Sequence, residues 1–166
     1  EEAIMAITTS SLNMNMDTAG SSAPLMHEIL TKVNNAKDKP AKIAVLKKHD
    51  SVPLRQVLKG AFDPNIIWDL PEGTPPFNRN DAPAGTEHTS LHTEARRLWH
   101  FVKGADENLK QSKKEMMFIQ LLEGLQEDDA DLMIAVKEKS LNKRYKGLTD
   151  AVVKEAFGWN ENYKTS

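Results

Sequence analysis

His88 and His92 stand four residues apart, with Glu87 and Glu94 beside them and His100 further on. On one helix face such a pair can hold a divalent cation, because imidazoles one turn apart converge on a common point. Two features count against that chemistry. His88 precedes the Thr89-Ser90 pair that reads as a helix cap, and no glutamate lies between the histidines in the zinc-protease register. The expectation is a histidine-rich polar face, with no metal and no cofactor. The carboxylates Glu127, Asp128, Asp129 and Asp131 read as dipole complement at a helix start, and Glu72 sits alone in a loop. No G-x-S-x-G, Walker-type or G-x-G-x-x-G pattern occurs. With no cysteine there is no thiol nucleophile and no thiolate metal site. The chain is not expected to be an enzyme.

Binding chemistry is better served. Between Lys137 and Lys146 lie five basic residues (Lys137, Lys139, Lys143, Arg144 and Lys146) against one acid, Glu138. The run stops at Gly147, beside Thr149 and the start of a final helix, where exposed backbone amides favour an anion. Polynucleotide phosphates are the commonest anions that call for several lysines at once. The plainer alternative is that lysines after a helix complement its dipole and keep the surface wet. Tyr145, within the run, fits either a sugar or the core.

Three helices position that connector. Ser112-Lys113-Lys114-Glu115 has capping-box spacing, and Met117, Phe118, Leu121, Leu122 and Leu125 recur at the helical period, with Gly124 placed for a left-handed end. Asp128 and Asp129 open the next helix, which buries a choice among Leu132, Ile134, Ala135 and Val136 and ends its stripe at Lys137. Thr149 caps the last, lined by Leu148, Val152, Ala156 and Phe157. Upstream, Leu25, Ile29, Leu30 and Val33 share a face. Asp38-Lys39-Pro40 and Asp50-Ser51 open two further helices, the second with Leu54, Val57, Leu58, Ala61 and Phe62 inward. Five of the eight prolines lie between Asp63 and Thr89, which argues for an irregular insertion pinned by Trp68 and Phe77. Ser90 then caps a helix carrying Leu91, Ala95, Leu98, Trp99 and Val102 and ending at Gly104.

The expected class is all-α: about six to seven short helices in one domain over residues 25–159. Residues 1–24 form an extended or flexible arm, 63–89 the insertion and 160–166 a polar tail. A chain of 166 residues accommodates one such domain with a real core. No apolar run is long enough to cross a bilayer. A net charge of −2 argues against indiscriminate coating of nucleic acid but leaves room for a local basic face.

Two stretches carry a resemblance. LMHEILTKVNNAKDKPAKIAVLKKHDSVPLRQVLKGAFDP and LLEGLQEDDADLMIAVKEKSLNKRYKGLTDAVVKEAFGW are similar in pattern and order to the all-helical N-terminal DNA-binding domain of phage-type ATP-dependent DNA ligases. LKGAFDPNIIWDLPEGTPPFNRNDAPAGTEHT resembles small proteins of T-even-like marine and cyanobacterial phages, which implies a viral origin. The ligase's Lys-x-Asp-Gly motif is absent, since the chain contains no Asp-Gly dipeptide. The resemblance therefore implies the gripping half alone: duplex DNA held through its backbone by Lys137, Lys139, Lys143, Arg144 and Lys146, joined by Lys110, Lys113 and Lys114. A phage structural or host-factor-binding protein that docks through residues 1–24 is the alternative. Either way the expected setting is the infected bacterium's cytoplasm or the virion.

Overall fold

The computed structural model describes residues 24–80 and 89–165, and these are helical with no strands; three isolated bridges are the only β pairing among them. The order is α1 (Met26–Asn35), α2 (Lys39–Lys48), α3 (Val52–Phe62), α4 (Leu91–Glu94), a 3-10 helix (Ala95–Phe101), α5 (Gln111–Gly124), α6 (Glu127–Lys137), α7 (Leu141–Arg144) and α8 (Asp150–Phe157). The all-α expectation holds, with more and shorter elements than anticipated. The expected arm falls almost wholly outside the described residues.

Local chemistry explains most boundaries. Asp38 accepts from the Ala41 amide at 2.9 Å, and Ser51 from Leu54 at 3.2 Å, each with proline in the first turn. Thr149 caps α8 by accepting from Val152 at 3.3 Å, and Gly158 closes that helix at φ 67°. Three expectations fail. Ser112 is not a cap: α5 starts one residue earlier, where Gln111 reaches both the Asp69 carbonyl and Glu115, so the insertion sets the start. Gly124 is the last helical residue rather than a left-handed one. The helix from Ser90 does not run to Val102, because α4 tightens after one turn into 3-10 winding.

α6 occupies the middle of the molecule, with Ala130, Leu132, Met133, Ile134, Ala135 and Val136 all buried. It packs on α1, α3 and α5, and Asp129, also buried, accepts from the His27 amide of α1 at 2.9 Å. A second layer of α2 against α1 and α8 buries Ile43, Leu46, Val152 and Val153. The insertion is pinned as expected of Trp68: its indole donates to the Gly60 carbonyl at 3.0 Å and covers α3 at that glycine. Phe77 is half-buried under the Arg79 guanidinium, 5.1 Å from its ring centre. The polar tail is more than that. Tyr163 is buried against Trp159, and its hydroxyl donates to Asp150.

Two measurements probe this packing. Gly60→Ala adds a methyl 2.7 Å from the Trp68 ring. The helix gain of roughly 0.5–1 kcal/mol is smaller than the cost of displacing a seated indole, about 1–3 kcal/mol, so urea midpoints should fall. A raised midpoint would show that Trp68 is not seated there. Burial and the hydrogen bond to Asp150 push Tyr163 up from 10.0 to about 12. Its contribution is present below the unfolded value and lost as pH rises through the folded one. Stability should therefore decline between pH 10 and 12, and Tyr163→Phe should flatten that decline in thermal melts.

Candidate nucleic-acid interface

The connector divides its charges between inside and outside. Lys137 was expected on the surface, at the end of the apolar stripe, yet its side chain is only 2% exposed. Its ammonium donates to the carbonyls of Pro71 at 2.9 Å and Gly73 at 2.8 Å, and pairs with Glu138. That pairing holds the Glu138 carboxyl below its ordinary range. Lys139 has a left-handed backbone, φ 57°, which swings its ammonium under the end of α3. There it donates to the carbonyls of Gly60 at 2.6 Å and Asp63 at 2.9 Å. Burial lowers its pKa and the nearby Asp63 charge opposes that shift. The Lys137 ammonium is thus enclosed, whereas Lys139 is an exposed residue whose ammonium is engaged by two carbonyls. Tyr145 settles into the core.

Lys143, Arg144 and Lys146 remain on the surface. Arg144 lies over Tyr145 and approaches Asp128 at 3.7 Å, an exposed pair of the kind worth about 0–1 kcal/mol. What the sequence did not disclose is where this corner docks. The Gly147 amide donates to the Asn34 side chain at 2.7 Å, and a Cβ on Gly147 would lie 2.8 Å from the Lys42 ammonium. Glycine is favoured here by closeness, not by φ. The corner is thus pressed on the end of α1 and the side of α2. A cleft of about 510 Å³ between them is lined by His27, Thr31, Asn34, Asp128, Arg144 and Tyr145.

This docking joins two basic segments. From Lys32 to Lys48 the chain carries six lysines and one acid, Asp38. Lys42 is spent on the carbonyls of Val33, Asn34 and Ala36, and Lys39 pairs with Glu155 at 3.2 Å. Lys32, Lys37, Lys47 and Lys48 are exposed and have no carboxylate partner among the described residues. Burial and then the charges of Lys32 and Lys48 hold His49 below its ordinary pKa. Cations therefore crowd that edge.

The other predicted groups lie elsewhere. Lys114 is buried and bonded to Asp69 at 2.7 Å, which fixes α5 to the insertion. Lys110 and Lys113 are exposed at the same helix start, and no hydrogen bond or ion pair joins them to the corner. The start of α8 already holds a carboxylate, since Asp150 lies in its first turn and pairs with Lys154 at 3.0 Å. Of the histidines, His88 lies outside the described residues, burial lowers His92, and His100 is turned to Asp106 at 2.8 Å. No group of three metal-binding side chains occurs among the described residues, nor any helix long and apolar enough to cross a membrane.

The division into buried and free lysines is testable. Lys137→Ala strands two loop carbonyls and the Glu138 charge, and should cost about 2–4 kcal/mol in urea unfolding. Lys143→Ala should stay within about 0.5 kcal/mol of wild type. Equal effects would contradict the assignment.

Comparison with known proteins adds one finding. No curated protein and no solved structure matches the chain. A family model described as "Family of unknown function (DUF6433)" matches residues 29–143, from within α1 to within α7. That span includes α6 and both basic segments up to Lys143, so the chain belongs to this family, DUF6433.

Proposed function

We propose that the protein is a non-catalytic DNA-binding module that grips the duplex backbone with the face shared by α1, α2 and the corner 143–147. One observation carries the reading. The Gly147–Asn34 bond seats the corner on the end of α1, where Arg144 shares a cleft with His27, Thr31 and Asn34, while Lys143 borders Thr74, Asp131 and Glu138. Six lysines on these segments (Lys32, Lys37, Lys47, Lys48, Lys143 and Lys146) lack a carboxylate partner among the described residues.

The chemistry suits phosphate rather than base edges. Lysine ammonium groups are flexible point charges, without the planar fork that reads a base pair. Several of them spaced over two helices neutralise successive phosphates and release counterions, which gives affinity without sequence preference. With an overall charge of −2, such attraction rests on local patches rather than on the whole surface. The ligase-like pattern of the sequence agrees with such a grip, and the missing Lys-x-Asp-Gly motif leaves binding as the role.

Fluorescence anisotropy with a labelled duplex, titrated with salt, tests the proposal. Wild type should bind with an affinity that falls steeply with salt. Replacing Lys143, Arg144 and Lys146 by glutamine should lower the log–log slope by about 0.9 for each phosphate no longer neutralised. Lys32→Gln/Lys48→Gln should lower it too, since both segments form one face. Absent or salt-insensitive binding, or slopes that neither set of changes moves, would overturn it.

A further inference from the structure

A second surface, apart from the α1–α2 face, has different chemistry. Trp99 is 49% exposed, although it sits in the 3-10 helix between buried Leu98 and Phe101. Its ring lies on the His100 imidazole, centres 4.0 Å apart and planes inclined by 30°. His100 is itself held by Asp106, so the pair is a fixed platform rather than a loose side chain.

The winding places charge beside that platform. In a 3-10 helix residues three apart eclipse, which sets Arg96 on the edge that carries Trp99. On α3 the same spacing turns Gln56 and Lys59 toward them. All four border one shallow cleft of about 170 Å³, floored by Ile66 and Trp68. Lys103 follows two residues past the 3-10 helix and is exposed. Lys59, Arg96 and Lys103 have no carboxylate partner among the described residues. A protein-docking patch has no need of two cations without carboxylate partners beside one exposed indole. A polyanion with flat, unstacked rings matches both features.

We infer that the Trp99–His100 platform, flanked by Lys59 and Arg96, binds single-stranded nucleic acid by stacking an unpaired base on the indole and holding the adjoining phosphates. Stacking of this kind is tolerant of sequence, because every base presents a π-face. The site is separate from the duplex-gripping face proposed above.

The test uses the full chain and a fluorescein-labelled oligothymidylate, with an abasic oligomer of equal length and a blunt duplex beside it. Wild type should bind the oligothymidylate, prefer it to the abasic strand, and lose tryptophan emission on binding. Trp99→Ala should weaken that binding roughly ten-fold or more and remove most of the quenching, with duplex binding unchanged. Arg96→Ala/Lys59→Ala, which leaves the indole in place, should weaken binding and flatten its salt dependence. Equal affinity for the abasic strand, or single-strand binding that neither variant changes, overturns the inference and leaves the duplex reading standing. Loss of duplex binding alone in the Lys143/Arg144/Lys146 variant, with oligothymidylate binding intact, supports a separate single-strand site.

Discussion

Lysine ammonium groups seated on the carbonyl ends of other segments hold this fold together. The last carbonyls of a helix have no partner within it, and a left-handed glycine usually folds the chain back to meet them. Here α1 ends on Ala36 and α3 on Asp63, both extended, so that device is absent. Lys42 reaches back to the end of α1 and Lys139 reaches across to the end of α3. Lys137 does the same for the insertion at Pro71 and Gly73. Each is a charge-assisted bond that brings distant parts of the chain to one place.

The same constraint decides which charges remain for a partner. A sequence count credits every lysine between Lys137 and Lys146 to the surface. Packing engages the ammonium groups of Lys137 and Lys139, while Lys32, Lys47 and Lys48 of the first two helices and Lys37 of the turn between them stay exposed. Gly147 is the joint. A side chain at this position would push on the end of Lys42 and crowd the Asn34 carbonyl at 3.1 Å. Structural lysines and surface lysines therefore depend on one another, because Lys42 fixes the helix end on which the corner rests.

Much of the fold was legible in the sequence because it rests on local rules. The stripes of α1, α3 and α8 and the caps at Asp38, Ser51 and Thr149 all act within one helix, where spacing suffices. The misreadings arise where a remote segment overrides local preference. Ser112 has a capping serine's neighbours, but Asp69 draws Gln111 and Lys114 and moves the helix start. Lys137 has a surface residue's character, yet the insertion brings carbonyls to its ammonium. Tyr163 lies in a tail of polar residues and is buried because Asp150 and Trp159 await it. The candidate site shows the same division. Its charges were countable in one dimension, but their partners were not.

Lys139 shows why the two roles do not overlap. A left-handed backbone at a residue with a Cβ costs roughly 1–2 kcal/mol, so it survives only where surrounding interactions impose it. Here it accompanies two hydrogen bonds to carbonyls at the end of α3, and an ammonium released to a phosphate would forfeit both while the strain remained. Arg144 stands at the opposite extreme. Its exposed partner Asp128 is 3.7 Å away and its own backbone is unstrained, so exchanging that carboxylate for a phosphate sacrifices little. Between these limits a lysine is bound to the fold by what its departure would leave behind, and on that criterion the corner from Lys143 to Lys146 is the part the fold needs least, as the proposed grip requires.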